Sequence, residues 1–271
     1  MYKKSLQAYG LFVICAMFWG ATFPITKSAI AEINLYAFVF LRFGLAALVM
    51  LPFVWKGFRR AFKRNLLTGL ILGLLNTGTF VFEALSVHYT SVARAAFIAG
   101  ANVALVPFLS RLFGAGVIRK IDLVAAACFL FGLYIFTDVH MNEKVDIGSI
   151  FAVFAAICIA LSLVYIHRVT IRHTDLNDKM LTFFQIIFVT PIPFAAFLIG
   201  QHTPMHFNLN VIWSILFCAI FATAWPLYGQ VKWQKHTSAS VSALIFALEP
   251  VFAILIAALF YHAKLPTFEL I

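Results

Sequence analysis

The sequence predicts an all-α integral membrane protein, for reasons of composition and of how its apolar residues are arranged. Hydrophobic residues make up 63% of the 271 residues and charged residues 11%, against roughly 45–50% and 25% in a typical soluble domain. The mean hydropathy is +0.97, and the apolar residues form long runs rather than the short alternating segments of a membrane β-barrel. This composition excludes a soluble globule, a disordered chain and a disulfide-stapled secreted module.

Nine apolar runs are long enough to span a bilayer as helices, which takes roughly 20 residues each. In chain order they are residues 6–30, 35–55, 66–87, 91–113, 121–137, 148–167, 180–199, 211–231 and 238–261. The first run exceeds the roughly 7–15 residues of a signal-peptide core and contains Trp19, Pro24 and Lys27, so we interpret it as an uncleaved span. A tenth span would begin near Leu265, and the sequence stops at Ile271, so we expect the tenth helix to be missing or truncated.

Basic residues alternate between the loops and predict the orientation. One set of loops carries Lys3, Lys4, Lys56, Arg59, Arg60, Lys63, Arg64, Arg119, Lys120, Arg168, Arg172, Lys232 and Lys235. The alternating loops carry little beyond Lys144 and Lys264. By the positive-inside rule the N-terminus is cytoplasmic, which predicts a multi-pass protein of the cell (inner) membrane. The net charge of +10 therefore reflects topology and lipid contact, and we expect no nucleic-acid partner.

The cysteines and histidines do not indicate a metal site. All four cysteines lie within apolar runs, where they are typical small core residues: Cys15, Cys128, Cys158 and Cys218. His202 and His206 are four residues apart, but Pro204 separates them and no acidic residue accompanies them. A Gly-rich phosphate loop ending in Lys-Ser/Thr is absent from the sequence. We therefore expect no metal, no cofactor and no ATP-driven transport.

An internal repeat links the fourth and ninth runs. Residues 90–98 read TSVARAAFI, and residues 237–245 read TSASVSALI. Each copy opens the fourth span of a half if the chain is divided into halves of five spans, residues 1–140 and 146–271. An odd number of spans per half inverts the second half, as in many secondary transporters that bind substrate near the midplane between halves. The aligned copies pair Asn102 with Glu249.

Short motifs accompany this repeat in a consistent order. They are Trp19-Gly20-Ala21-Thr22-Phe23, Leu41-Arg42-Phe43, Ala84-Leu85 with Tyr89-Thr90-Ser91, Tyr228-Gly229, and Leu248-Glu249-Pro250-Val251. In order and spacing they resemble the EamA family of the drug/metabolite transporter superfamily, from about Tyr9 to Leu265. The resemblance implies ten helices in two inverted five-helix halves, a central cavity and alternating access. It also implies transport, mostly outward, of amino acids, nucleotide-related compounds or other small metabolites, coupled to protons in some members.

The sequence departs from the family pattern in two places. We expect the tenth helix to be missing or truncated, and the acidic residue often found after the fourth and ninth spans is replaced by Gly116-Val117-Ile118 and His262-Ala263-Lys264. An inactive, truncated membrane protein is therefore the alternative function. An intramembrane enzyme is a further alternative, although the acidic residues are few and scattered. We expect a homodimer to cover the surface that a missing tenth helix would expose.

Glu249 is the foremost candidate for substrate binding or coupling. It lies near the middle of the ninth span, where an ionisable side chain costs about 2.5–3.5 kcal/mol or more. It is a candidate proton carrier or a partner for a substrate amine. Pro250 removes a backbone donor beside it. The alternative is a structural carboxylate held by a basic or Asn partner.

Four further ionisable residues lie at similar depth, near the outer face: Lys27, Arg42, Glu83 and Arg94. One carboxylate among three cations predicts a vestibule that attracts a carboxylate or phosphate. The alternative is that Lys27 and Arg94 extend to the interface and that Glu83 pairs with Arg94 or Arg42. Arg42 is the least able to reach water.

Aromatic and amide residues complete the candidates. Trp19, Tyr228 and Trp225 are candidates to line the cavity and stack on a ligand, and Trp225 precedes a kink expected at Pro226. With 31 Phe and five Trp in the chain, most aromatic residues must face lipid or the core. Asn76 and Asn102 are polar residues within spans, for which hydrogen bonding between helices is the default.

Overall fold

The apolar runs fold into helices throughout the computed structural model, which describes residues 2–55, 58–138, 146–173, 175–200 and 205–261. The α-helices are α1 (Tyr2–Ile30), α2 (Leu35–Val54), α3 (Phe58–Tyr89), α4 (Val92–Gly100), α5 (Asn102–Leu112), α6 (Lys120–Asp138), α7 (Ile147–Arg172), α8 (Asp178–Ile187), α9 (Pro191–Ile199), α10 (Leu209–Ala219), α11 (Trp225–Trp233), α12 (Ala239–Phe246) and α13 (Glu249–Tyr261). Lys56, Lys144, His202 and Lys264 lie outside the described residues, as does the place where a tenth span would begin.

Within the described residues, eight stretches of helix are long and apolar enough to cross a membrane. They are Lys3–Ile30, Leu35–Val54, Ala61–Tyr89, Val92–Leu112, Ile147–Arg172, Asp178–Ile199, Leu209–His236 and Ala239–Phe260. Each coincides with a predicted span. The remaining prediction, residues 121–137, coincides with the 19-residue helix α6. The predicted all-α membrane architecture is therefore confirmed.

The fourth and ninth spans begin with the same cap and break near the same point. The side chain of Ser91 accepts a hydrogen bond from the backbone N–H of Arg94, and that of Ser238 accepts one from the backbone N–H of Val241. Both donor–acceptor distances are 3.2 Å. The recurring Thr-Ser pair thus supplies an N-cap to each span. The fourth span breaks between α4 and α5, and the ninth between α12 and α13.

The two broken spans lie against each other in opposite directions. Helix α4 packs on α13, and α5 packs on α12. Asn102 begins α5 and Glu249 begins α13, so the two residues paired by the sequence repeat occupy matching places at the breaks. Pro250 helps to explain the second break, because it has no N–H to donate to the Phe246 carbonyl.

Candidate functional site

A small cavity lies among α1, α3, α7, α11, α12 and α13, with a volume of about 50 Å³. It is lined by Trp19, Thr22, Asn76, Thr79, Phe80, Glu83, Ile159, Ser162, Leu163, Leu227, Gln230, Phe246 and Glu249. Since one water needs roughly 10–15 Å³ of such volume, it has room for a few waters. Sites for drug-sized ligands measure roughly 300–1,000 Å³, so a metabolite requires the cavity to widen.

Four predicted site residues line this cavity: Trp19, Asn76, Glu83 and Glu249. Neither Glu83 nor Glu249 has a hydrogen bond or ion pair from its carboxyl to another described residue. The alternative for Glu249 was a structural carboxylate held by a basic or Asn partner, and the described residues show neither kind of partner for it. Two carboxyls without fixed partners face one small space.

Gly20 allows α1 to approach the break that carries Glu249. A Cβ atom at Gly20 would lie 2.6 Å from the Glu249 carbonyl oxygen and 2.7 Å from Cβ of Phe252. Both distances are far inside normal contact, so only glycine fits there without displacement. This close approach places the neighbouring Trp19 and the Glu249 side chain on one cavity wall.

The predicted kink at Pro226 takes the form of a π-helical turn over Ile220–Ala224, between α10 and α11. In a regular α-helix the Ala222 carbonyl would bond the N–H of residue 226, which proline lacks. That carbonyl instead accepts hydrogen bonds from Trp19 Nε1 at 3.0 Å and from Arg42 Nη2 at 3.1 Å. The π-helical turn therefore holds two predicted site residues by one backbone oxygen.

Arg42 is buried, and its guanidinium donates two hydrogen bonds to the π-helical turn. Its side chain donates from Nε to Thr223 Oγ1 over 2.8 Å, and the residue is only 3% exposed. Its Cζ lies 4.7 Å from the centroid of the Phe80 ring. Arg42 and Glu83 border a second space of about 10 Å³ next to the cavity, but the described residues show no ion pair between them.

The four ionisable residues expected at one depth are divided between two places. Arg42 and Glu83 lie beside the cavity. Lys27 and Arg94 lie at the end of the bundle where α1 finishes, with Lys27 Nζ donating to the Thr90 carbonyl over 2.5 Å. The described side chains therefore do not form a single vestibule of three cations and one carboxylate, because Lys27 contacts Thr90 and Arg94 pairs with Asp146.

Arg94 belongs to a cluster around Asp146, which we call the Asp146 cluster (Thr90, Arg94, Asp146 and Ser149). Arg94 Nη1 lies 3.1 Å from Asp146 Oδ2, and Thr90 Oγ1 donates to the same oxygen over 2.6 Å. Asp146 also caps α7 by accepting from the Ser149 N–H at 2.7 Å. Burial acts to raise the pKa of Asp146, but the hydrogen bonds from Thr90, Ser149 and Arg94 together hold it below its usual value.

The two asparagines have different surroundings. Asn76 donates to Gln185 Oε1 at 3.4 Å and accepts from Ser162 Oγ at 3.1 Å, so it links three helices, as expected of a polar residue within a span. Asn102 donates within its own span, to the Ala99 carbonyl at 2.9 Å. Its Oδ1 is buried without a hydrogen-bond partner among the described residues.

Tyr228 and Trp225 do not line the central cavity. They border a separate apolar groove of about 430 Å³ between α2, α8 and α11, together with Met50, Phe53 and Lys179. Gln230, two residues further along α11, faces the cavity instead. The structure thus separates these two aromatic candidates from the space that holds Trp19 and the carboxyls.

Several cavity residues escaped the sequence reasoning. Thr79, Phe80, Gln230 and Phe246 line the cavity but were not singled out. The α3 residues offered a signal, because positions 76, 79, 80 and 83 follow the spacing of one helix face. Asp146, which lies outside the cavity, was also missed; its signal was that an Asp directly before an apolar run is a typical N-cap.

Comparison with known proteins gives matches along nearly the whole chain. A family model described as the EamA-like transporter family matches residues 6–137 and 146–271. An uncharacterized transporter of Archaeoglobus fulgidus is 31% identical over 255 residues, covering 93% of this chain and 77% of the relative. The uncharacterized transporter YyaM of Bacillus subtilis is 26% identical over 267 residues, covering 93% of this chain and 86% of the relative.

A solved structure has the same fold. This crystal structure, described only as that of a protein, aligns with a TM-score of 0.74 over 95% of this chain and 89% of its own, at 13% identity. At that identity the likeness concerns the fold and not the ligand.

Proposed function

Because this chain belongs to the EamA-like transporter family, as its motifs predicted, we propose that it is a secondary active transporter. In this proposal it exports small polar or amphipathic metabolites, such as amino acids or nucleotide-related compounds, by alternating access. The family and its transporter-named relatives favour a transporter over an enzyme.

The location of the cavity is the observation that carries the proposal. Its walls come from α1 and α3 on one side and from α7, α11, α12 and α13 on the other. These helices fall in the two separate stretches that match the family model. A cavity between two halves opens to either face when the halves rock against each other. The matching caps and breaks of the fourth and ninth spans support the division into inverted repeats of residues 1–140 and 146–271.

Glu249 is the proposed coupling residue. It stands at the break of the ninth span, lines the cavity and has no fixed cation among the described residues. A carboxyl in that position can exchange a proton for a substrate group as the cavity changes face. We expect Glu249→Gln to insert normally and to lose proton-driven flux. Full proton-driven flux in that variant would remove Glu249 from the mechanism.

The proposed setting is the cell (inner) membrane with a cytoplasmic N-terminus, supported by the alternation of basic residues. The Asp146 cluster then lies at the outer end of the bundle. The expected homodimer stays a prediction, which the mass of the purified protein in mild detergent tests.

Counterflow in proteoliposomes tests transport directly. Vesicles are loaded with a pooled panel of amino acids, nucleosides, purines, organic acids and amines, and entry of a trace of each labelled compound is followed. Saturable exchange of one class, absent from protein-free vesicles, is the expected result. No exchange by this chain, when the same chain extended by a tenth helix does exchange, would favour the inactive, truncated form. No exchange by either would contradict the transporter proposal.

A further inference from the structure

The two carboxyls of the cavity carry a further inference, which rests on the proposed function and narrows its substrate. We propose that the preferred substrate is an amine cation, a small molecule with one protonated amino group on an aromatic or apolar body. Amino-acid zwitterions, although they are among the example substrates of the proposed function, and organic anions are disfavoured in the same cavity.

The charges beside the cavity leave room for one positive charge. Glu83 and Glu249 line the cavity, and Arg42 borders the adjoining space with Glu83. No other ionisable side chain of the described residues lines either space. With the carboxylates ionised the formal charge of the group is −1, which a monovalent ammonium neutralises. A charge in such a place is costly unless it is compensated.

Arg42 does not offer a site for a substrate carboxylate. Its Nε donates to Thr223 and its Nη2 to Ala222, and its Cζ lies 4.7 Å from the centroid of the Phe80 ring. A carboxylate bound to Nε and Nη2 together would displace both contacts. An anion entering the cavity would meet two carboxyls, while Arg42 is already hydrogen-bonded to Thr223 and Ala222.

Three aromatic rings line the same cavity: Trp19, Phe80 and Phe246. The indole of Trp19 is oriented by its bond to the Ala222 carbonyl and by edge contact with Phe246, whose ring centroid is 4.9 Å away. A cation over the face of an aromatic ring is attracted to it, most strongly over Trp. Carboxyls and rings together match an ammonium group attached to an apolar body.

A buried hydroxyl gives an independent indication of a polar ligand. Thr79 is 7% exposed and lines the cavity, and its Oγ1 has no hydrogen-bond partner among the described residues. A buried polar atom without a partner is costly, and such atoms are commonly satisfied by a ligand or water. An ammonium has three N–H donors, enough for both carboxyls and this hydroxyl.

Four ligands with one phenylethyl body test the charge preference: phenethylamine, phenylalanine, 3-phenylpropionate and 3-phenylpropionamide. Binding to the unmodified protein in detergent is measured by isothermal titration calorimetry. We expect phenethylamine to bind at least tenfold more tightly than the zwitterion, the anion or the neutral amide. Equal or tighter binding of phenylalanine or 3-phenylpropionate, or no binding of phenethylamine at millimolar concentration, would overturn the proposal. This series needs no variant to fold.

Isosteric variants then locate the site. Glu83→Gln and Glu249→Gln should each weaken phenethylamine binding at least tenfold, and Thr79→Val should weaken it several-fold. Asp175→Asn removes the same charge from an exposed ion pair with Arg64 and should leave the affinity unchanged. Variants are compared only when they elute as one peak in gel filtration. Unchanged amine affinity in both Glu variants would contradict the assignment.

Binding and transport can fail separately. Amine binding that depends on both carboxyls, without counterflow of labelled phenethylamine, would sustain the amine site and contradict the transporter proposal. Counterflow of an amino acid or anion, with no preference for the amine, would sustain the transporter and overturn the amine site.

Discussion

At the scale of single residues, Asp146 joins three elements through its carboxylate. It accepts from Thr90 at the end of α3, pairs with Arg94 in α4 and caps α7. Since asparagine is also a good N-cap, Asp146→Asn removes the charge while keeping the cap. The difference in stability between the unmodified protein and Asp146→Asn therefore reports the contribution of the charged contacts alone.

We expect Asp146→Asn to lower the thermal stability at pH 7. The pKa of Asp146 is lowered in the folded protein, so its charge stabilises the fold above the ordinary Asp value of about 3.9 and ceases to do so as the pH falls below it. Melting curves in detergent should show a gap between parent and variant at pH 7 that narrows toward pH 3. A gap that stays constant with pH would contradict this role.

Gly20 and Gly10 form a matched pair on α1. A Cβ at Gly20 would collide with the backbone of the ninth span, whereas a Cβ at Gly10 meets nothing within 4 Å. Gly20→Ala should destabilise by about 1–3 kcal/mol through overpacking and should weaken ligand binding by moving Trp19. Gly10→Ala should stabilise by roughly 0.5–1 kcal/mol, since alanine favours helix. Thermal melts measure both, and equal effects would refute the close approach.

At the scale of elements, the π-helical turn interrupts the regular α-helix and leaves the Ala222 carbonyl without its helical hydrogen bond, so that it can accept from Trp19 and Arg42. Pro226→Ala returns an N–H four residues after Ala222, so the turn can relax to α-helix and take that carbonyl back. We expect unchanged or higher thermal stability together with at least fivefold weaker ligand binding, as Trp19 and Arg42 lose their shared acceptor. Pro191→Ala, at the first position of α9 and away from the cavity, is the control. Undiminished binding in Pro226→Ala would show that the turn does not organise the site.

Which residues of each helix face the cavity was only partly predictable from the sequence. Glu249 and Asn76 stood out because polar groups within an apolar run are costly, and Trp19 because it belongs to the family-like motif of the first span. The structure places all three around the cavity. The rotation of each helix could not be predicted, because lipid and protein interior are both apolar. Tyr228 was therefore chosen and Gln230 overlooked, although only Gln230 faces the cavity.

At the scale of the whole molecule, the spans were predictable because apolar length alone defines them. The breaks within the fourth and ninth spans were not predicted, although Asn102 and Glu249 stand at them, because one polar residue does not shorten a long apolar run. The proximity of Asp146 to Arg94 was also unpredictable, because the contact spans 52 residues and depends on how α4 and α7 pack.

The orientation gives a prediction for the entire chain. In a background with the four native cysteines replaced, Met205→Cys should react with a membrane-impermeant maleimide in intact cells, and Asp175→Cys should react only after the membrane is opened. Both positions are described and lie in connections at opposite ends of the bundle. The reverse labelling would place the N-terminus outside.

The carbonyl oxygen of Ala222 accepts hydrogen bonds from two other helices. Trp19 in α1 and Arg42 in α2 are the two donors. A ligand that tilts the Trp19 indole should therefore also change the length of the hydrogen bond from Arg42. Through this shared acceptor, a movement of the cavity wall at Trp19 is coupled to α2. The stretching vibration of this carbonyl, shifted by a ¹³C label at Ala222, would report the filling of the cavity as movement of one infrared band.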